Sequence, residues 1–120
     1  MRPDFPKRGG LVPAVVQNTG TGEVLMLGWV NAQAWGHTLA TGKATFWSTS
    51  RNQLWEKGAT SGDWLKIDEI RVDCDEDTIL YRVTPQGEGA CHTKNSAGKA
   101  RTSCFYRRLE ADGTVTNLDP

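Results

Sequence analysis

The chain has 120 residues, which suits one domain with a modest hydrophobic core. Its 14 Lys and Arg balance 14 Asp and Glu, so no bulk field draws in nucleic acid or an anionic membrane, although a local basic cluster can still hold a phosphate. Neither Met1–Pro6 nor any later stretch has the apolar run of a signal peptide or of a spanning helix, which needs roughly 20 residues. We therefore expect a soluble, cytoplasmic protein. Its 3 cysteines, Cys74, Cys91 and Cys104, cannot all pair within one chain, and cytosolic thiols stay reduced. Metal binding, burial or reactivity are the roles left to them.

From the N-terminus, Leu11–Val16 and Glu23–Val30 are apolar, β-branched runs around Asn18-Thr19-Gly20-Thr21-Gly22, the pattern of a β-hairpin. Asn31 offers an N-cap, Ala34, Trp35, Thr38 and Leu39 follow at helical spacing, and Gly42 offers a stop, so a short helix follows. Ala44–Ser50 reads as a strand and Lys57–Gly62 as a loop. Trp64–Cys74 alternates, but each face is mixed, as in a strand whose environment changes along its length. Thr78–Thr84 is a further strand, Pro85–Gly89 a turn, and Thr102–Leu109 a last strand. The tail from Glu110 to Pro120 is polar and peripheral. The expectation is a single α+β domain over residues 1–120, mainly β, with its core at about 10–108: a strand-rich, pseudo-barrel-like sheet with one clear helix.

Within Asp73-Cys74-Asp75-Glu76-Asp77, an extended backbone would put Asp73, Asp75 and Asp77 on one face and Cys74 on the other. Converging carboxylates repel unless a hard cation such as Mg²⁺ or Ca²⁺ neutralises them. An EF-hand loop begins in the same way, but it requires Gly and Glu where this chain has Thr78 and Thr84. An acidic turn splayed into water has the same composition. Cys91-His92, Cys104 and Cys74 form a second constellation. Thiolates favour Zn²⁺, and three protein ligands with a fourth position left for water is the catalytic arrangement. Three buried cysteines holding no metal would look the same in sequence. His37, on the predicted helix, reads as a surface or packing residue. His92, beside a candidate ligand, is a candidate proton shuttle or further zinc contact. Finally, the hydroxyls and glycines of Trp47–Arg51 and Leu54–Gly62, with Arg51 and Lys57, can cradle a phosphate without matching the Walker spacing. A polar loop between strands has that composition too.

Taken in order, these segments resemble the phosphoribosyl-AMP cyclohydrolase family. The resemblance lies in Gly10-Leu11-Val12-Pro13-Ala14-Val15-Val16-Gln17, Glu23-Val24-Leu25-Met26-Leu27, Thr45-Phe46-Trp47-Ser48, Leu54-Trp55-Glu56-Lys57-Gly58 and Thr60-Ser61-Gly62. Most diagnostic are Arg71-Val72-Asp73-Cys74-Asp75-Glu76-Asp77 and the pair Ala90-Cys91-His92-Thr93 with Ser103-Cys104-Phe105-Tyr106. The resemblance implies hydrolytic opening of the adenine ring of phosphoribosyl-AMP between N1 and C6, the third step of histidine biosynthesis. It also implies a homodimer with Zn²⁺ held by Cys74, Cys91 and Cys104 across the subunit interface, and Mg²⁺ held by Asp73, Asp75 and Asp77. His92 would relay a proton, and Arg51, Lys57, Thr60 and Ser61 would contact the phosphates. The Cys91–Cys104 segment is about six residues longer than the family usually shows, an insertion of small entropic cost if flexible. Thr49 stands where a basic residue is frequent, and Ala59 where Glu is common.

Two other classes compete. A structural zinc-binding interaction module, RNA among its partners, could stack bases on the 5 tryptophans, but the neutral charge and the lack of a basic face beyond Arg107-Arg108 disfavour it. A zinc deaminase would show H-x-E and P-C-x-x-C, and neither is present.

Overall fold

The computed structural model describes the whole chain, Met1–Pro120. The predicted hairpin forms as β1 (Val12–Asn18) and β2 (Val24–Val30), paired antiparallel. Asn31 caps α1 (Ala32–Thr41): its side chain accepts from the Ala34 amide at 2.8 Å, and Gly42 closes the helix in the left-handed conformation. A second hairpin follows, β3 (Thr45–Ser48) and β4 (Gln53–Glu56). The sequence reading had no strand at β4. β5 (Leu65–Val72) and β6 (Ile79–Pro85) complete the main sheet, in the order β2-β1-β6-β5, with β1 and β6 parallel and the other neighbours antiparallel.

The sheet stays open rather than closing into a barrel. Bonds from Ala44 N to Leu65 O and from Ile67 N to Gly42 O hold the start of the β3–β4 hairpin against β5. The core lies between the main sheet, α1 and this hairpin. Phe46, fully buried, packs on Trp55 and Tyr81. A Cβ on Gly28 would come within 2.4 Å of the Phe46 ring, so β2 needs glycine where the ring crosses it.

β5 explains its own mixed pattern. Its register against β6 shifts between Ile67 and Glu69, a bulge at Asp68. One extra residue reverses the parity of the pleat, so Leu65 and Ile67 before it and Ile70 and Val72 after it all pack on the core. The bulged Asp68 turns its carboxylate to the Thr84 and Thr19 hydroxyls at 2.6 and 2.8 Å. β5 also stops at Val72, short of the expected Cys74.

The last expected strand is much shorter than Thr102–Leu109. Only β7 (Arg107–Leu109) is regular, and it pairs with β8 (Val115–Asn117) from the tail. Residues 102–106 are irregular because their partners are side chains and single backbone groups: Ser103 Oγ donates to Val24 O, and Cys104 N to Leu25 O, at 2.7 Å each. The Cys91–Cys104 insertion is ordered. Lys94 and Ala100 bridge, Asn95 N donates to Lys99 O, and the Asn95 side chain accepts from Ala97 N and Lys99 N.

Candidate active site and metal centre

Two neighbouring segments bring Cys91 and Cys104 together. Ala90 N and Cys91 N donate to Thr102 O and Arg101 O, while Cys104 is pinned to the edge of β2. The two thiols lie close enough to perturb each other's ionisation. Cys91 is buried, which alone would raise its pKa. The Thr93 hydroxyl, 2.9 Å from its sulfur, the Thr93 amide and the Arg101 charge outweigh that and hold it below the ordinary thiol value. Cys104 keeps open surface, yet protein packed around its sulfur, together with the neighbouring Cys91, pushes it up to about 11.

The pair borders a cleft of about 890 Å³. His92, Arg51, Lys57, Thr60 and Ser61 line the same cleft, so the thiols and the 50–61 segment share one cavity. Lys57 lies deepest, with its ammonium donating to Asp63 O at 3.0 Å. Burial lowers its pKa, and Asp63, Cys104 and Cys91 partly restore it. Gly58, at φ +79°, makes this turn possible: a Cβ there would lie 2.2 Å from Trp64 N. His92 is exposed on the cleft wall. His37 does not line the cleft itself but pairs at 3.1 Å with Glu56, which does.

Cys74 does not join the other two cysteines within the chain; it is exposed in the turn after β5. The aspartates converge, but by a different route from the extended one expected. Residues 73–78 form a turn, with Glu76 at φ 65°, in which Asp73 Oδ1 accepts from the Asp77 and Thr78 amides. One oxygen from each of Asp73, Asp75 and Asp77 falls within 4.8 Å of the others. This crowding shows in the charges: the Asp73 carboxyl raises the pKa of Asp75, and Arg8 lowers that of Asp77.

Both donor sets suit the metals the resemblance implies. Oxygen-only ligands at this spacing fit a hard cation, and adjacent thiols beside a cleft fit zinc, one ligand short in a single chain. Sequence reasoning missed Lys7 and Arg8, which place cations on the aspartates: Arg8 Nη2 is 2.6 Å and Lys7 Nζ 3.6 Å from Asp77 Oδ2. It also missed the support of Cys91 by Thr93 and Arg101. Thr93 had a local signal, a hydroxyl two residues past a cysteine; the others join segments far apart in the chain.

Comparison with known proteins identifies the family. The family profile described as phosphoribosyl-AMP cyclohydrolase matches residues 26–106. A phosphoribosyl-AMP cyclohydrolase of Desulfatibacillum aliphaticivorans is 53% identical over 98% of this chain and 89% of its own length. Those of Nitratidesulfovibrio vulgaris strain DP4 and Hyphomonas neptunium are 50% and 53% identical, over 98% and 92% of this chain and 88% and 78% of their own lengths. This chain belongs to the phosphoribosyl-AMP cyclohydrolase family.

Proposed function

We propose that this chain hydrolyses the N1–C6 bond of the adenine ring of phosphoribosyl-AMP, in histidine biosynthesis, as a zinc- and magnesium-dependent cytoplasmic homodimer. The observation that carries the reading is the meeting of Cys91 and Cys104 on a cleft that the polar 50–61 segment also lines. When bound, zinc supplies Lewis acidity and an acidified water at neutral pH, and Mg²⁺ neutralises clustered anionic oxygens.

The chain's own groups do the rest. Arg51, Thr60 and Ser61 bind and orient the phosphates at the rim, with the Lys57 charge beneath them. His92 carries the proton released by the attacking water to N1, the nitrogen that leaves C6. The dimer is supported by Cys74: it stands apart from Cys91 and Cys104 in one chain, so a complete thiolate set needs Cys74 of the partner subunit. A groove of about 680 Å³ in which Leu11, Pro13 and Trp29 sit beside Arg8, Thr49, Asp77 and Thr78 offers a mixed apolar and polar surface for that contact.

The test is turnover of phosphoribosyl-AMP, followed by ultraviolet absorbance, before and after zinc chelation, with the oligomeric state measured by sedimentation. Ring opening that disappears with zinc and returns with it is the expected result. Metal-independent turnover, or a Cys91→Ala variant that stays active, would overturn the zinc assignment. His92→Ala with an unchanged rate and pH profile would remove the proton-relay role alone.

A further inference from the structure

The tail and the long Cys91–Cys104 segment meet in a line of contacts that ends on a cysteine sulfur. Arg101 lies at its centre. Its Nε donates to Asp119 O at 2.8 Å, and its Nη1 donates to Thr93 Oγ1 at 3.1 Å. Its guanidinium lies over the Tyr106 ring, 4.1 Å from the centroid. The Thr93 hydroxyl lies 2.9 Å from Cys91 Sγ, and against the thiolate form that binds a metal it is the hydroxyl that donates. The tail is itself fixed: the Asp119 carboxylate accepts from Asn95 Nδ2 at 3.1 Å and Thr102 N at 3.3 Å, and Leu118 N donates to Tyr106 O at 2.7 Å.

We infer that Thr93 and Arg101 are positioning residues for the metal centre, and that the Asp119 tail segment sets how firmly Cys91 is held as a ligand. The inference rests on the proposed zinc site. Outer hydrogen bonds to a ligand orient it and tune its donor strength, and losing one typically weakens metal binding by about 10–100-fold. A plain surface role for the tail would leave the sulfur untouched. Here each link is a hydrogen bond, and the last one falls on the ligand atom.

The test measures zinc affinity of the full chain by chelator competition, together with the thiolate-to-metal charge-transfer band of the cobalt-substituted protein. Thr93→Val removes the hydroxyl contact and keeps the backbone amide bond to the sulfur; it should weaken zinc binding by about 10-fold and move the band to lower energy, because a sulfur with fewer hydrogen bonds is easier to oxidise. Thr93→Ser should restore both. Arg101→Gln should give a smaller loss, and Asp119→Ala the smallest. The decisive variant is the double one. If the tail acts through the hydroxyl, Asp119→Ala added to Thr93→Val brings no further loss, whereas independent effects would add. Circular dichroism separates any variant that fails to fold, and the serine rescue supplies a folded comparison. Native zinc affinity and band position in Thr93→Val would overturn the inference while leaving the zinc site intact. A native protein that binds no zinc would overturn the site and the inference together.

Discussion

Replacing Gly58 by alanine tests how the cleft wall is held, and Gly62 supplies an internal control. Both glycines have left-handed φ, +79° and +81°, so alanine at either meets the same kind of backbone strain, about 1–2 kcal/mol. Loss of freedom in the unfolded chain returns about 0.4–1 kcal/mol in each case. The sites differ in space. A Cβ on Gly62 meets nothing within 4 Å, while one on Gly58 falls 2.2 Å from Trp64 N and 2.3 Å from Asp63 C. Those neighbours are backbone atoms and cannot rotate away, so overpacking adds roughly 2 kcal/mol at Gly58 alone. For a chain of 120 residues, an unfolding entropy of about 2.1 cal/mol/K per residue makes that difference about 8 °C in Tm. Tm should be compared at one protein and one zinc concentration, since binding shifts it. Gly58→Ala should melt about 8 °C below Gly62→Ala and lose more activity, because Lys57 and its bond to Asp63 O move with the turn. Equal midpoints would refute the steric argument.

Three further expectations address other parts of the molecule. The Tyr81 hydroxyl is buried without a hydrogen-bond partner, the nearby Thr38 hydroxyl being engaged with Thr45, so Tyr81→Phe should be neutral or stabilising by up to about 1 kcal/mol in urea unfolding. Burial also pushes the Tyr81 pKa up to about 12, so the stability it supports is whole below the unfolded value of about 10 and lost as pH rises towards 12; the phenylalanine variant should lack that loss. The Thr84 and Thr19 hydroxyls lower the Asp68 pKa, so its contribution is present above the unfolded value of about 3.9 and lost as pH falls through the folded one. Asp68→Asn should flatten the acid limb of the stability profile, and an unchanged limb would count against the bulge contacts. Arg8→Ala removes the closest cation from Asp77, so its urea midpoint should fall in metal-free buffer and recover with added Mg²⁺ more than the native protein gains. Equal responses to Mg²⁺ would show that Arg8 does not balance the aspartates.

What was legible in the sequence was what neighbours along the chain decide. The first hairpin, its Asn31-capped helix and β6 follow from periodicity and capping within short windows. The reading broke down where a distant partner sets the conformation. β4 exists because it pairs with β3 across a tight turn, and its polar Gln53 and Glu56 hide a two-residue period. β8 has a local signal of its own, the Asp112-Gly113 turn that joins it to β7. The Asp68 bulge has no signature beyond the mixed pattern it produces, and an alternation rule applied across it assigns one half of β5 to the wrong face.

The candidate site divides along the same line. Carboxylates and thiols stand out as candidates by residue type, although an acidic turn or metal-free cysteines would read the same. What holds them does not stand out. The aspartates converge through a turn stabilised by the Asp73 carboxylate, with cations from Lys7 and Arg8 nearly seventy positions away, as the separations of 68 and 69 residues show. Cys91 is supported through Thr93 by an arginine that reaches it only because the Cys91–Cys104 insertion folds back as a hairpin and the tail closes over it. An insertion that looks like slack in sequence is, in the fold, the piece that carries Asn95 and Arg101 to Asp119. Shortening it by deleting residues 95–100 should therefore loosen the tail and weaken zinc binding together, while leaving the main sheet intact. A shortened chain with a detached tail and native zinc affinity would show that the proposed zinc site needs no such brace.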